Sequence, residues 1–348
     1  MHSTAHGKGF QLDRRNLLGG VLGTGLVAAS GLSLGGCSTA AEAKPLTVGG
    51  LAVTCNLTLP VACAANAAAN KAGQAAFEYS KYTGWPEVKE SLMSGEIKAA
   101  YMLAPLVMDL ADKKVPVKIV SIGHRSGAVI MVRTDSTYGS FSDLRGKRIA
   151  IPSRFAVDFL FLRKMLAAEK MTPANVEIVE MAPADMPAAL YVKGVDAYCT
   201  GEPFGAAAQQ AGYARPLRMT RDEWPRYMCC VLTVREELIK DDRPLVQDLV
   251  NHVLGAGTWL DQQAQNREKA IQIAAGRKFF NQDPNVLRFV MKEPPDRVTY
   301  GDLRMVPGEF EELMRMAVEA GTLKNPVPYA KYVDESFALA AKPAAINL

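Results

Sequence analysis

Between residues 46 and 122 the apolar residues fall into short continuous runs, and between those runs they recur every three or four positions. The runs predict strands over 47–54, 76–81, 97–103 and 117–122, and the spaced stretches predict helices near 59–72, 85–94 and 105–111. Such alternation implies a parallel sheet with right-handed crossovers. At Arg148 the same order begins again, with strands 148–151, 176–181, 195–200 and near 214–219 and helices 155–168, 187–192 and 203–211. The recurrence predicts an α/β chain of two lobes, each a mainly parallel sheet flanked by helices.

One pair of junctions makes the repeat concrete. Ile97 to Pro105 and Val195 to Pro203 have equal length, and each follows a helix closed by a glycine, Gly95 or Gly194. Each also ends in a proline suited to the first turn of the next helix. After Pro216 come a polar turn (220–225), an apolar strand (228–234) and helices near 244–263, 267–275, 284–291 and 307–319, with no third β/α series. The strand is expected to return to the first lobe and the helices to pack on it. Lobe one then comprises 46–133 and 228–348, lobe two comprises 134–227, and crossings near 128–135 and 224–231 form a two-strand hinge.

The segment 143–166 concentrates the chemistry. Ile149, Ala150 and Ile151 form a short buried strand that must stop at Pro152, and Ser153 is an N-cap candidate for a helix carrying Phe155, Phe159, Leu162 and Leu166 at helical spacing. A helix starting at the carboxyl end of such a strand points free N–H groups into the crevice where ligands lie, a place suited to anions.

Composition narrows the classes. A chain of 348 residues with 49% hydrophobic and 22% charged residues can bury two cores. The net charge of +4 is dispersed, without the basic patch that nucleic acid requires. Six cysteines are too few for a disulfide scaffold, and Cys55, Cys63, Cys199, Cys229 and Cys230 show no metal-ligand spacing, so they are expected as small buried hydrophobes with no metal. At the N-terminus Arg14-Arg15 precede a Gly-rich apolar run ending at Leu34-Gly35-Gly36-Cys37. The order is that of a signal peptide over 1–37; the arginines resemble a twin-arginine export signal and the last four residues a bacterial lipobox, with Cys37 lipidated and 38–45 a tether.

The lipobox, the two β/α lobes, and the segments Trp85 to Pro105, Leu144 to Pro152, Gly194 to Phe204 and Cys230 to Leu238 resemble the periplasmic substrate-binding proteins of ABC importers. Within them the chain is similar to the nitrate/sulfonate/taurine group, over Leu46 to about Asp261, although the first loop, Cys55 to Cys63, departs from the group by leading into an Ala/Asn-rich helix. The resemblance implies a type II two-lobed fold, no enzymatic activity and no cofactor. It further implies a lipid-anchored monomer in the periplasm or on the outer face of the cytoplasmic membrane, handing a small organic or inorganic anion to permease and ATPase subunits. The group shares its fold with thiamine-precursor binding proteins, so a thiamine precursor or pyrimidine is an alternative ligand. A thiamine-pyrimidine-synthase-like enzyme, echoed faintly by Met228-Cys229-Cys230-Val231, is an alternative activity, and a sensor feeding a membrane kinase an alternative role.

Candidate ligand contacts follow from the junctions. Ser153 and Arg154 sit at the lobe-two junction, where either Ser153 merely caps the helix and Arg154 is solvated, or the two also reach ligand. Asn56 and Thr58 hold the corresponding place in lobe one, and Trp85 either walls the cleft or packs on its own helix. Leu103, Ala104, Gly201 and Glu202 occupy matching positions of the repeat, with Glu202 either supporting its own helix start or meeting a basic ligand group. Arg125, beside Ser126, is the best cation for gripping an oxyanion.

Overall fold

The computed structural model describes residues 44–70 and 76–348, so the expected signal peptide and Cys37 lie outside the described residues. Among those described, no helix is long and apolar enough to cross a membrane.

The strands follow in chain order as β1 (Leu46–Leu51), β2 (Phe77–Tyr82), β3 (Ala99–Leu103) and β4 (Val117–Ile122). A two-residue β5 (Arg125–Ser126) precedes β6 (Ala128–Arg133), β7 (Arg148–Ile151), β8 (Glu177–Glu180), β9 (Ala197–Gly201) and β10 (Ala214–Met219). The last are β11 (Cys230–Arg235) and β12 (Val298–Thr299). Five form a sheet in the order β2-β1-β3-β11-β4, and five form another that, taken from its β8 edge, runs β8-β7-β9-β6-β10. The two orders are the same order. In each, the parallel β/α series is interrupted at the fourth position by one antiparallel strand that adjoins a crossing between the halves, β11 in the first sheet and β6 in the second. The central strands β3 and β9 are apolar along nearly their whole length because helices cover both faces of each sheet.

Local chemistry sets the helix bounds. Gly95 closes helix Trp85–Ser94 at φ 82°, where a side chain would be strained, and Pro105 occupies the first turn of helix Ala104–Asp112. Asp242 caps helix Arg243–Gln262 by accepting from the Leu245 amide at 3.0 Å, and this helix packs on helix Thr58–Ala69. The helix after β7 begins at Val157, two residues later than its apolar spacing predicts. The Ser153 hydroxyl accepts from the Phe155 amide at 3.2 Å, so it holds the turn before the helix instead of capping the helix itself.

The crossings lie just outside the sheets. Arg125 bridges Met228, the Ser126 amide donates to the Tyr227 carbonyl at 3.0 Å, and β12 pairs with β5 on the other side. The first crossing is therefore at Arg125–Ser126 and not over 128–135, since Ala128 onward is already paired within the second sheet. Arg125 is not free to meet a ligand. It is 3% exposed, and its five donors go to both Glu309 oxygens at 2.9 Å and to the carbonyls of Arg226, Asp302 and Arg304.

A second buried ion pair ties the halves together. Glu202, beyond the end of β9, and Arg297, in the C-terminal segment, are 0% and 1% exposed and meet at 2.5 Å. The other Glu202 oxygen accepts from the Ala206 amide at 2.9 Å, so this carboxylate supports its own helix start and meets a protein cation, not one on a ligand. A buried pair contributes little over an apolar substitute, but breaking it strands a charge at a cost of about 3–5 kcal/mol. Glu202→Ala alone is expected to lower the unfolding free energy extrapolated from a urea titration by that much and to shift the midpoint down with it, and Glu202→Leu with Arg297→Met to recover most of the loss. Equal midpoints for the single and double variants would contradict the pairing.

Candidate functional site

The carboxyl ends of β1, β3, β7 and β9 meet at one gap between the halves, which is where ligands sit in open α/β folds. From the first half, Val53 and Cys55 follow β1, Leu103 ends β3, Trp85 opens its helix, and Cys229 and Cys230 lead into β11. From the second, Pro152 follows β7, Thr200 and Gly201 end β9, and Asp158 lies in the first turn of helix Val157–Ala168. Together they line a cavity of about 270 Å³. The halves close on it, with room for one small guest. Approach is close because two glycines face Cys55: a Cβ on Gly127, at φ 101°, or on Gly201 would lie 3.1 Å from its sulfur.

Of the residues expected from sequence, the structure brings Trp85, Leu103 and Gly201 to this cavity and places the others elsewhere. Asn56 donates to the Leu51 carbonyl at 3.1 Å, and Thr58 bonds the Tyr101 hydroxyl at 2.7 Å and the Gly123 carbonyl at 2.8 Å. Both hold the first loop in shape. Ala104 is buried in its helix, and Ser126 lies in the crossing. Arg154 is 47% exposed and faces Glu180 at 3.3 Å, so with Arg125 also committed, neither expected cation turns toward the cavity. Among the described residues lining it there is no lysine or arginine.

Sequence reasoning passed over the polar atoms of Asp158 and Thr200 in this lining and of His124 beside Cys229 and Cys230. Asp158 Oδ1, Thr200 Oγ1 and both ring nitrogens of His124 are buried with no hydrogen-bond partner among the described residues, whereas buried polar atoms ordinarily have one. Thr200 could have been found, as it immediately precedes the Gly201 that the repeat singles out. Asp158 carried a weaker signal, an acid within an otherwise apolar helix start.

The electrostatics are those of acids crowded together. Burial, and then the nearby Cys229 sulfur, push the Asp158 carboxyl well above the usual carboxylate range. The Cys230 thiol, 4.0 Å away, and then the Cys55 thiol donate to the Cys229 sulfur and hold it well below the ordinary thiol range. Burial pushes the Cys230 thiol up. Because Asp158 has a folded pKa above its unfolded one, its neutral form is favoured by folding. Stability is therefore full below about pH 4, the unfolded value, and falls as pH rises toward the folded value. Asp158→Asn is expected to stabilise chelator-treated protein at pH 7.5, where folding otherwise opposes the charged carboxylate. Urea unfolding across a pH series should show the gain vanishing toward pH 4; a constant gain would mean that the carboxyl is not the cause.

Comparisons with known proteins agree with this geometry. The chain is 26% identical over 258 residues to the nitrate/nitrite binding protein NrtA of Nostoc sp. strain PCC 7120, covering 67% of this chain and 57% of that relative, so it spans little more than half the relative's length. Among solved structures it is similar to the ligand-binding component of an ABC-type import system from Staphylococcus aureus with zinc bound, at 26% identity and a TM-score of 0.77, over 87% of this chain and 100% of that one. The periplasmic nitrate-binding protein NrtA from Synechocystis PCC 6803 shares the fold at 19% identity and a TM-score of 0.77, over 86% and 88% of the two chains. The model of the NMT1-like family matches residues 39–275, more than half the length, and the chain belongs to that family.

Proposed function

We propose that the chain is the substrate-binding component of an ABC importer and that it captures a small oxyanion between its halves. The observation that carries this reading is the cavity itself, built from the strand ends of both sheets and closed over room for one small guest. The ligand class comes from the relatives, whose names state nitrate and nitrite binding.

The remaining parts complete the same reading. The lobes are 46–126 with 228–348 and 127–227, the expected boundary at 133 giving way to the pairing of Ala128–Arg133 in the second sheet, and they open about the paired crossings at Arg125 and Met228. The partners are a permease and an ATPase, and the exported monomer is held at the outer membrane face by a lipid on Cys37. Capture without turnover is what such a component does.

Thermal unfolding against a panel of nitrate, nitrite, small sulfonates and thiamine precursors tests the proposal. A ligand present at about 100 times its Kd stabilises the folded state by about 2.7 kcal/mol, which raises the melting temperature by several degrees. Nitrate or nitrite is expected to do so, and Thr200→Val, which removes a hydroxyl from the lining, to weaken that binding by about tenfold, the equivalent of one hydrogen bond. A melt moved only by neutral or cationic compounds would overturn the anion assignment.

A further inference from the structure

Cys229 and Cys230 in the cavity wall and His124 beside them form a donor set that an anion does not use. One ring nitrogen of His124 and the sulfurs of Cys229 and Cys230 all lie within 4.8 Å of one another, and all three residues are buried. The two sulfurs are 4.0 Å apart. Tetrahedral zinc, with Zn–S bonds of about 2.3 Å, sets its sulfurs about 3.8 Å apart, so the two sulfurs already stand within a few tenths of an ångström of that spacing.

Buried thiols alone would pass as small hydrophobes. His124 does not allow that reading. It is 0% exposed, neither ring nitrogen has a hydrogen-bond partner among the described residues, and an imidazole buried without partners costs about 1–3 kcal/mol. The carboxylate oxygen of Asp158, likewise without a partner, lines the same cavity as the two cysteines. Thiolates, an imidazole and a carboxylate together offer lone pairs to a cation, and two sulfurs with a nitrogen suit a soft d10 ion.

We propose that His124, Cys229 and Cys230 bind one Zn2+ ion in the wall of the cavity. The ion with two thiolates is electrically neutral, which fits a cavity without lysine or arginine, and three protein ligands leave a fourth position open. Cys55 flanks the site and can fill that position when no ligand is present. That the captured oxyanion takes the fourth position, gaining the positive centre the lining lacks, rests on the receptor reading above; the cation site does not.

Reduced, chelator-stripped full chain is titrated with Zn2+ in competition with a chromophoric chelator, and separately with Co2+. The expected result is one Zn2+ per chain with a Kd below about 1 µM, and a Co2+ adduct with sulfur-to-cobalt charge-transfer absorption. His124→Gln, Cys229→Ser and Cys230→Ser should each weaken binding at least about 100-fold, while Cys63→Ser, buried elsewhere, leaves it unchanged. The Co2+ spectrum is read on the unaltered chain, so the test survives a variant that fails to fold. Absence of the charge-transfer band, or uptake indifferent to all three substitutions, overturns the site. Repeating the anion melts with and without Zn2+ separates the two readings. Zinc uptake with no anion response removes the receptor and leaves the metal, whereas an equal anion response in protein that takes up no zinc does the reverse.

Discussion

Arg125 holds the connection between the two sheets together. Its guanidinium lies where one crossing leaves the first sheet, and it reaches the carbonyl of Arg226 on the other crossing, two carbonyls of the C-terminal segment and the Glu309 carboxylate. Five donors with five acceptors satisfy the group completely, and this is what makes a buried charge tolerable. The two crossings and the C-terminal segment therefore behave as one strap, and the position of one half relative to the other is set at that strap and at the Glu202–Arg297 pair.

Committing those charges to the frame changes the character of the gap they frame. The cations that would have drawn an anion are used up holding the crossings and the surface, and the lining is left with thiols, a carboxylate, a hydroxyl and an indole. The cavity is consequently rich in lone pairs and poor in positive charge, and its recognition has to come from hydroxyl and backbone donors or from a bound cation.

Most of the element order could be read from the sequence, because strand and helix periodicities differ and Gly95, Pro105 and Pro152 punctuate them. The direction of β6 and β11 could not. A strand buried on both faces is uniformly apolar, so Cys230–Arg235 looks the same whether it runs with or against its neighbours. The fates of Arg125 and Glu202 were hidden for another reason: their partners, Glu309 and Arg297, lie far along the chain and no local spacing announces them. The same holds for the cluster of His124 with Cys229 and Cys230, which is assembled from two crossings and has no short motif. By contrast, Leu103 and Gly201, which the internal repeat marks as strand ends, lie at the gap, as does Trp85, which was singled out as the opening of its helix.

The matching strand orders carry a consequence for how such a molecule comes to exist. Each β/α series is completed only by a strand that adjoins a crossing, β11 for the first and β6 for the second, so the first series stays unfinished until the chain has returned from the second. The arrangement is that of two sister modules fused into one polypeptide. A dependence of this kind makes folding of the pair a joint event, and it leaves the two completing strands as the places where one module feels the other move.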